Sequence, residues 1–351
     1  MGRILRVAVL TTAALGLFAG PALACGALIS PNGTVQLGRT VTLAAYHNGI
    51  EHYVTEFTFN GSGSKFGSIV PLPARPSKVV EAGQWTLQRL ELEVNPIRFA
   101  AAAGEFADAA VPAPAKVLFR TKVAALDVTV LQGGGPAVGI WAKQHGFSLT
   151  PDAPAVLGFY GRRSPYFMAV EFNAKRAAAL GQQQGQATAV HVVIPTNRPW
   201  VPLRILGLGA KPTAPISADV FLLNDRAPAM LPAPSGLLGR SGLTLSRSEA
   251  APTQLLKDLS SDRGMSWLPT SGMWLDYVKV HSPADQLTYD LAIDPSGRGD
   301  PSPVDAGLVA PATAPAPSST TTTWPIWVGL AVLGIVLVTG LAERSRTRAA
   351  L

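Results

Sequence analysis

Residues 40–59 read TVTLAAYHNGIEHYVTEFTF, which is two strand-like runs on either side of Asn48-Gly49. An Asn-Gly pair between two β-prone runs is a strong signal for a two-residue hairpin turn, because both residues tolerate a positive φ. In the second run, alternate positions place one set of side chains on a common face: Tyr53, Thr55, Phe57 and Phe59. This stretch therefore predicts that the fold is built on antiparallel strands.

Short strand-like segments recur along the rest of the chain, and turn residues separate them. These strands are predicted over residues 66–70, 127–131, 187–194 and 216–223, with a last hairpin of residues 277–281 and 286–293. Fewer segments have a helical pattern, and they cover residues 136–145, 152–160 and 255–262. Two stretches have the composition of loops, residues 173–186 and 226–251. The fold class is therefore α+β, predominantly antiparallel β with a few short helices.

The first 24 residues have the three parts of a secretory signal peptide. Arginines precede an uncharged, mainly apolar stretch over residues 7–19, and small residues follow at Ala22 and Ala24. Cleavage after Ala24 would make Cys25 the first mature residue, which is where bacterial lipoproteins carry a lipid thioether. Ala22 stands where a lipidation signal prefers Leu, so the sequence favours a free thiol and leaves lipidation at Cys25 open.

The C-terminal region has the pattern of a single membrane crossing. Residues 324–342 contain no charge, and a helix of that length at about 1.5 Å per residue approaches the roughly 30 Å hydrocarbon thickness. Trp324 and Trp327 lie at one edge of this segment, where indole rings favour the headgroup zone. The basic residues just past the other edge are Arg344, Arg346 and Arg348. The positive-inside rule then predicts a cytoplasmic tail over residues 343–351 and an N-terminal ectodomain outside the cell membrane.

Residues 294–323 separate this predicted transmembrane helix from the strand-rich region. The segment is rich in Pro, Ala and Thr and has few large apolar side chains to bury, so it predicts an extended stalk. The folded extracytoplasmic domain is accordingly predicted over residues 25–293, which is long enough for a substantial core.

Charge and cysteine content exclude two classes of protein. The net charge of +7 falls to +3 when the leader's Arg3 and Arg6 and the charged residues of the tail are removed. The remaining domain is nearly neutral, so the sequence predicts no nucleic-acid partner. The single cysteine, Cys25, excludes a disulfide framework.

Several short phrases of the domain resemble a known bacterial family. They are Cys25-Gly26, FGSIVPLP at 66–73, LDVTVL at 126–131, His145-Gly-Phe, FMAVEF at 167–172, Ile194-Pro and Pro202-Leu-Arg204. These phrases are spread over most of residues 25–290, and through them the domain resembles the bacterial family called domain of unknown function 2330. Ser68 stands where the family has a bulkier residue. The resemblance implies a secreted or membrane-anchored protein and a shared fold, and it supplies no catalytic residue.

His47, Glu51 and His52 come closest to a metal-binding pattern. They nearly match the HxxEH motif of one metallopeptidase class, but one extra residue separates His47 from Glu51. The motif also requires a helix, whereas Asn48-Gly49 predicts a hairpin in which His52 lies opposite Ala45. We therefore expect no metal site and no convergence of the two histidines.

The remaining candidates also have ordinary structural interpretations. The run Gly133-Gly134-Gly135 lacks the other residues of a phosphate-binding loop and predicts a tight strand-to-helix turn. Asp258 and Asp262 are expected on a solvated helix face, and His191 as a partly buried histidine, isolated from His145 and His281. The tryptophans that could stack on sugars but are expected to pack in the core are Trp85, Trp141, Trp200, Trp267 and Trp274.

These observations predict a membrane-anchored extracytoplasmic protein without a catalytic residue, metal or cofactor. The favoured role is a non-catalytic binding or interaction module at the cell envelope, with envelope polymer or envelope proteins as partners beside the plasma membrane. The alternative is an envelope hydrolase whose active site is assembled only in three dimensions.

We predict that the mature chain begins at Cys25 with an unmodified thiol. Ala22 and Ala24 are the small residues that signal peptidase recognises before its cleavage site, and Ala22 stands where a lipidation signal prefers Leu. Mass spectrometry of the N-terminal peptide from purified protein checks this. A diacylglyceryl mass on Cys25 would contradict the free thiol, and a chain beginning elsewhere would contradict the cleavage site.

Overall fold

A computed structural model describes residues 27–29, 40–57, 65–94, 115–182, 187–234 and 242–312. The strands are β1 Ala27–Ile29, β2 Thr40–His47, β3 Ile50–Phe57, β4 Lys65–Leu72, β5 Lys78–Glu81, β6 Lys116–Val123, β7 Leu126–Gln132, β8 Tyr166–Asn173, β9 Thr188–Pro195, β10 Trp200–Val201, β11 Pro215–Asn224, β12 Ala229–Leu231, β13 Leu243–Ala250, β14 Trp274–Pro283 and β15 Leu291–Asp294. The helices are α1 Trp85–Val94, α2 Gly135–Gln144, α3 Ala153–Gly161, α4 Ala174–Ala179 and α5 Thr253–Ser260, with a short 3-10 turn at Arg204–Gly207.

The strands form three sheets. The largest has seven strands in the order β13-β14-β11-β2-β3-β9-β5, the second has five in the order β1-β4-β8-β7-β6, and the third has three in the order β10-β15-β12. Every pair is antiparallel except β2 with β11. The β-rich class with few helices is therefore confirmed for the described residues.

The Asn-Gly hairpin forms as its sequence predicts. Asn48 and Gly49 have φ values of 51° and 78°. Tyr46 pairs with Glu51, so the register of the predicted hairpin is confirmed. Nearly all positions of both strands are buried, because the seven-stranded sheet is covered on both faces.

Two sheets and two helix pairs are stacked through three apolar clusters. The central cluster joins the two larger sheets, and Val128 and Met168 of the five-stranded sheet meet Tyr53 and Val220 of the seven-stranded sheet there. A second cluster packs α2 and α3 on the outer face of the five-stranded sheet. A third packs α1 and α5 on the outer face of the seven-stranded sheet. Burial of each large apolar side chain contributes roughly 1.5–3 kcal/mol, so these interfaces dominate the stability.

The glycine run 133–135 forms the predicted strand-to-helix turn between β7 and α2. Its last member also allows two helices to meet. A Cβ on Gly135 would lie 2.3 Å from the Leu157 carbonyl carbon, and a Cβ on Gly161 would lie 2.4 Å from the Gly135 nitrogen. Only glycine permits this close approach of α2 and α3.

The predicted C-terminal hairpin of residues 277–281 and 286–293 is wrong. Strand β14 pairs with β11 and β13 of the seven-stranded sheet, whereas β15 pairs with β10 and β12 of the small sheet. The side chains expected to face the core are nevertheless buried: Leu287, Tyr289, Leu291 and Ile293. Their alternation reflects burial in the central cluster, to which β15 contributes side chains although it belongs to the three-stranded sheet.

The segment that was predicted as a stalk begins on the folded unit. That unit extends to Pro311, beyond the boundary predicted at residue 293. The Asp290 backbone N–H donates to the Ala306 carbonyl at 2.9 Å, and Ala306 is fully buried. A Cβ on Gly307 would lie 2.2 Å from the Phe159 ring, so small residues allow this segment to pack on α3.

The predicted leader, most of the stalk, the transmembrane segment and the tail lie outside the described residues. The residues concerned are Ala22, Ala24, Cys25, Trp324, Trp327, Arg344, Arg346 and Arg348. Of the helices in the described part of the chain, none has the length and apolar character that a membrane crossing requires.

A buried carboxylate, Asp290, joins α3 to two other segments. Its Oδ1 accepts from the Tyr160 hydroxyl at 2.8 Å and from the Leu203 and Arg204 backbone nitrogens at 2.7 and 3.0 Å. Arg163 forms an ion pair with its other oxygen, and neither side chain is more than 2% exposed. Both oxygens of the carboxylate therefore have hydrogen-bond or ion-pair partners, as burial of a charge requires.

We predict that Asp290→Asn lowers the free energy of unfolding by about 3–5 kcal/mol, because it leaves the buried Arg163 guanidinium without a counter-charge. Arg198→Gln is the matched control, since its ion pair with Asp305 involves an arginine that is 56% exposed. That control should cost less than about 1 kcal/mol. Denaturant unfolding of the full chain measures both, and equal small losses would contradict the assignment of Asp290 as a structural centre.

Candidate functional site

An open cleft with a volume of about 430 Å³ lies where three connecting segments meet. The turn before α3, the chain that follows the 3-10 turn, and the loop after β14 form it, through Thr150, Pro151, Asp152, Gly207, Gly209, Ala210, Pro212, Ala284 and Asp285. A volume of this size is within the range of small-molecule sites.

The Asp290 network positions all three segments of the cleft. Helix α3 carries Asp152 just before its first turn and Tyr160 in its last. The 3-10 turn begins at Arg204, whose N–H is bound to Asp290, and it ends at Gly207 in the cleft wall. Asp285 precedes Asp290 by five residues along the same chain segment.

A direct hydrogen bond joins two walls of the cleft. The Gly209 N–H donates to Asp152 Oδ2 at 2.9 Å, and Gly209 has a φ of 73° that favours glycine. This bond leaves the second oxygen of the Asp152 carboxylate available. Asp285 is exposed, and neither carboxylate forms an ion pair within the described residues.

A second cluster of titratable side chains lies on the outer face of the seven-stranded sheet. His52 Nδ1 and His191 Nε2 are 2.9 Å apart and share a hydrogen bond, so at least one of these facing nitrogens carries no proton. The Trp267 ring stacks on His52 at 3.4 Å between centroids, with 8° between the planes. The two histidines are only 7% and 2% exposed.

Burial keeps both imidazoles neutral. Burial, with smaller contributions from the neighbouring His191 and His47, lowers the pKa of His52 to about 3. Burial also lowers the pKa of His191 to about 4, although the nearby Gly264 backbone acts in the opposite direction and raises it. This pair is therefore a packed, hydrogen-bonded unit at neutral pH.

Sequence reasoning placed His191 as a partly buried histidine but missed its partner. In the β3–β9 register His52 pairs with Val193 and Val54 pairs with His191, so the two histidines are diagonal neighbours on one face. They are separated by 139 positions along the chain, and only the order of strands brings them together. A prediction that β3 pairs with β9 in this register would have identified the two histidines as neighbours.

Glu51 lies on the opposite face of the sheet from His52, as strand alternation requires. Its carboxyl is fully buried, and burial raises its pKa well above the ordinary value, which favours the neutral acid. His47 instead binds Asp225 at 2.6 Å. Among the residues that the structure describes, no three His, Cys, Asp or Glu side chains are grouped so that they could hold a metal ion.

The predicted solvated face of Asp258 and Asp262 is wrong. Asp258 Oδ2 accepts from Arg89 Nε at 2.8 Å. Asp262 lies beyond the end of α5 and accepts from both the backbone nitrogen and the hydroxyl of Thr86 at 2.7 Å, at the start of α1. Both carboxylates therefore fasten α1 to the region of α5.

The five tryptophans divide between core and surface. Trp141 and Trp200 are buried, which confirms the expectation for them, and Trp267 and Trp274 are partly buried. Trp85 is 43% exposed at the start of α1, so the expectation of core packing is wrong there.

Comparison with known proteins identifies the family. The chain belongs to the bacterial family domain of unknown function 2330, described as "Uncharacterized protein conserved in bacteria", whose model matches residues 19–227. No curated protein matches the chain.

Among solved structures the chain is similar to baculovirus P35. The P35 crystal structure is 10% identical, with 77% of this chain and 99% of P35 covered and a TM-score of 0.40. A mutated baculovirus P35 after caspase cleavage is 8% identical, with 73% and 99% covered and a TM-score of 0.37. Similarity at this level supports no inference about function.

We predict that lowering the pH from 6.5 towards 4 destabilises the protein through the histidine pair. Unfolding returns each imidazole to a pKa near 6.5, so in this window the unfolded chain binds more protons than the folded one. Each histidine then contributes a slope of up to about 1.4 kcal/mol per pH unit, with stability complete above pH 6.5 and lost as the pH falls.

His52→Gln should reduce this slope in unfolding experiments between pH 7 and 4. His281→Gln, a change at an exposed histidine of β14, is the control and should keep the slope of the unaltered protein. Equal slopes for all three proteins would show that the pair does not titrate as described.

Proposed function

We propose that this protein is a membrane-anchored, extracytoplasmic binding module that recognises a component of the cell envelope through the cleft near Asp152 and Asp285. The anchoring and orientation rest on the predicted leader and the predicted transmembrane segment with its flanking tryptophans and arginines. Within this proposal the folded unit, which extends to Pro311, is held near the outer surface by the remaining stalk.

The observation that supports the binding role most is the construction of the cleft. It is open to solvent, has ligand-sized volume, and consists mostly of small residues with two acidic side chains at its walls. None of the described groups with strongly shifted pKa values lines the cleft; they are Glu51, His52, Glu56, Tyr160, His191 and Tyr289. A substrate in the cleft therefore meets polar recognition groups and not these perturbed acids and bases.

An envelope hydrolase is the second candidate, and one observation favours it. Asp152 and Asp285 line the same cleft, and paired carboxylates are the machinery of glycoside hydrolysis. One oxygen of Asp152 is occupied by the Gly209 N–H, which suits a positioning role better than proton transfer.

A photo-crosslinking residue at Ala210, in the cleft wall, should capture envelope material in living cells. The same residue at Leu180, which is 58% exposed on another surface, is the control and should capture little. Identification of the adduct by mass spectrometry checks the proposal. Equal capture at both positions would contradict a specific site.

An activity assay tests the alternative. Release of soluble fragments from envelope polymer by the purified protein, with loss of that release in Asp285→Asn, would favour the hydrolase.

A further inference from the structure

We propose that residues 303–310, together with the arginines around the end of α3, form a surface that docks on an anionic phospholipid bilayer. This inference rests on the proposed membrane anchor and goes beyond it, since it assigns the face of the folded unit that meets the membrane. Three observations support it: an exposed apolar patch, a set of arginines in contact with the same turn, and the position of both where the folded unit joins its predicted tether.

The apolar patch consists of Pro303, Leu308, Val309 and Ala310, all of which are exposed. Leu308 is 50% exposed and Val309 is 55% exposed. Of the five large apolar side chains that are exposed in the described part of the chain, these two are the only pair adjacent in sequence. Their backbone nitrogens both donate to the Pro303 carbonyl, at 2.9 and 3.3 Å, so a single turn holds the patch together. Such a patch on a folded surface is typical of an interaction site.

This turn has a fixed position at the end of α3. Gly307 packs so closely on Phe159 that a Cβ there would lie 2.2 Å from the ring. Arg163 Nη1 donates to the Asp305 carbonyl at 2.6 Å, which attaches the turn to α3 at a second point. The apolar side chains are therefore presented on a rigid part of the fold.

Three arginine side chains surround the turn. The Arg204 guanidinium lies over the Phe159 ring, 4.3 Å from its centroid. Arg162 is exposed and follows Phe159 by three residues, which places the two on neighbouring positions of one helix face. Arg198 binds Asp305 at 2.7 Å, and its side chain is 56% exposed.

The balance of charge on this surface is positive. The two acids next to the turn, Asp290 and Asp305, are each in an ion pair with an arginine. Arg162 and Arg204 have no such partner among the described acids. Residues 298–300 add one exposed charge of each sign. Uncompensated arginines beside an apolar patch match an anionic headgroup layer, which attracts the cations and accepts apolar side chains at its acyl boundary.

The patch lies where the folded unit joins its predicted membrane anchor. The unit extends to Pro311, and the predicted transmembrane segment begins at Trp324. Residues 312–323 between them reach at most about 40 Å when fully extended. A tether of this length keeps the patch at a high effective concentration near the bilayer, so a weak attraction is sufficient to dock it.

Docking through the patch also orients the proposed binding cleft. Asp152 stands just before the first residue of α3, whereas Phe159 and Arg162 lie at the other end of the helix. A helix of this length separates its two ends by about 13 Å. The cleft therefore lies at the end of α3 that is away from the docked patch, where it stays open to envelope material.

Fluorescence of the full chain reconstituted in phospholipid vesicles tests the proposal. An environment-sensitive fluorophore is attached at Ala310→Cys, within the patch, in a chain whose native cysteine is removed by Cys25→Ser. The control position is Gln88→Cys, exposed on α1, which packs on the seven-stranded sheet and so lies on the opposite side of the fold from α3. When phosphatidylglycerol is mixed into phosphatidylcholine vesicles, the Ala310 probe should shift to shorter wavelength and rise severalfold in intensity, whereas the Gln88 probe should not change.

Paired charge substitutions test the role of the arginines. Arg162→Gln with Arg204→Gln should lower the ratio of docked to undocked protein about tenfold, because each arginine near an anionic surface contributes severalfold. Lys78→Gln with Lys257→Gln is the matched control, since it removes the same charge from exposed positions on β5 and α5 and should leave the ratio unchanged. Circular dichroism of each variant verifies that it is folded.

Leu308→Ser with Val309→Ser should remove most of the fluorescence change without affecting the fold, because both side chains are exposed. Equal signals at the two probe positions, equal signals in neutral and anionic vesicles, or equal effects of the two charge pairs would overturn the docking surface. A signal that depends on protein concentration and not on lipid composition would show that a second copy covers the patch instead.

Flotation of the vesicles separates this inference from the proposed anchor. A chain that floats with the vesicles while its two probes behave alike has the anchor but not the docking surface. A chain that does not float lacks the anchor, and both proposals are then wrong.

Discussion

The buried carboxylate of Asp290 is the interaction on which the arrangement of the cleft depends. A carboxylate with no solvent exposure must be neutralised and hydrogen-bonded, and here its donors come from α3 and from the chain at residues 203–204. These segments cannot separate without leaving a buried charge unpaired. Because the same segments extend to Asp152, Gly207 and Asp285, a structural requirement in the interior sets the geometry of a surface cleft.

The polar groups of this fold divide into an interior set and a surface set. His52 and His191 pair beneath Trp267, and Glu51 is enclosed on the other face of the same sheet, so these groups contribute to packing and pH sensitivity. The acidic cleft is open and presents acceptors to solvent. The family model matches residues 19–227, so Asp285 and Asp290 lie beyond the matched segment.

Local patterns in the sequence predicted much of the fold, and long-range pairing accounts for most of what they missed. Asn48-Gly49 and the helix of residues 136–145 follow from turn and capping chemistry, which acts within a few residues. The partners of β14 and β15 depend on which sheet each strand joins, and alternation alone does not determine that. Helix α1 was missed, and its first turn is held by Asp262 from a distant part of the chain. The sequence did not predict the cleft because three separate segments form it and most of its lining residues are glycine, alanine or proline.

Hydrogen–deuterium exchange of the full chain and of its Asp290→Asn variant tests most directly whether Asp290 holds the segments that form the cleft. The account predicts faster exchange in the variant at backbone amides of residues 204–211 and 284–290, and unchanged exchange in α1 and α5. Unchanged exchange in those two segments, or faster exchange confined to the outer face of the seven-stranded sheet, would contradict it.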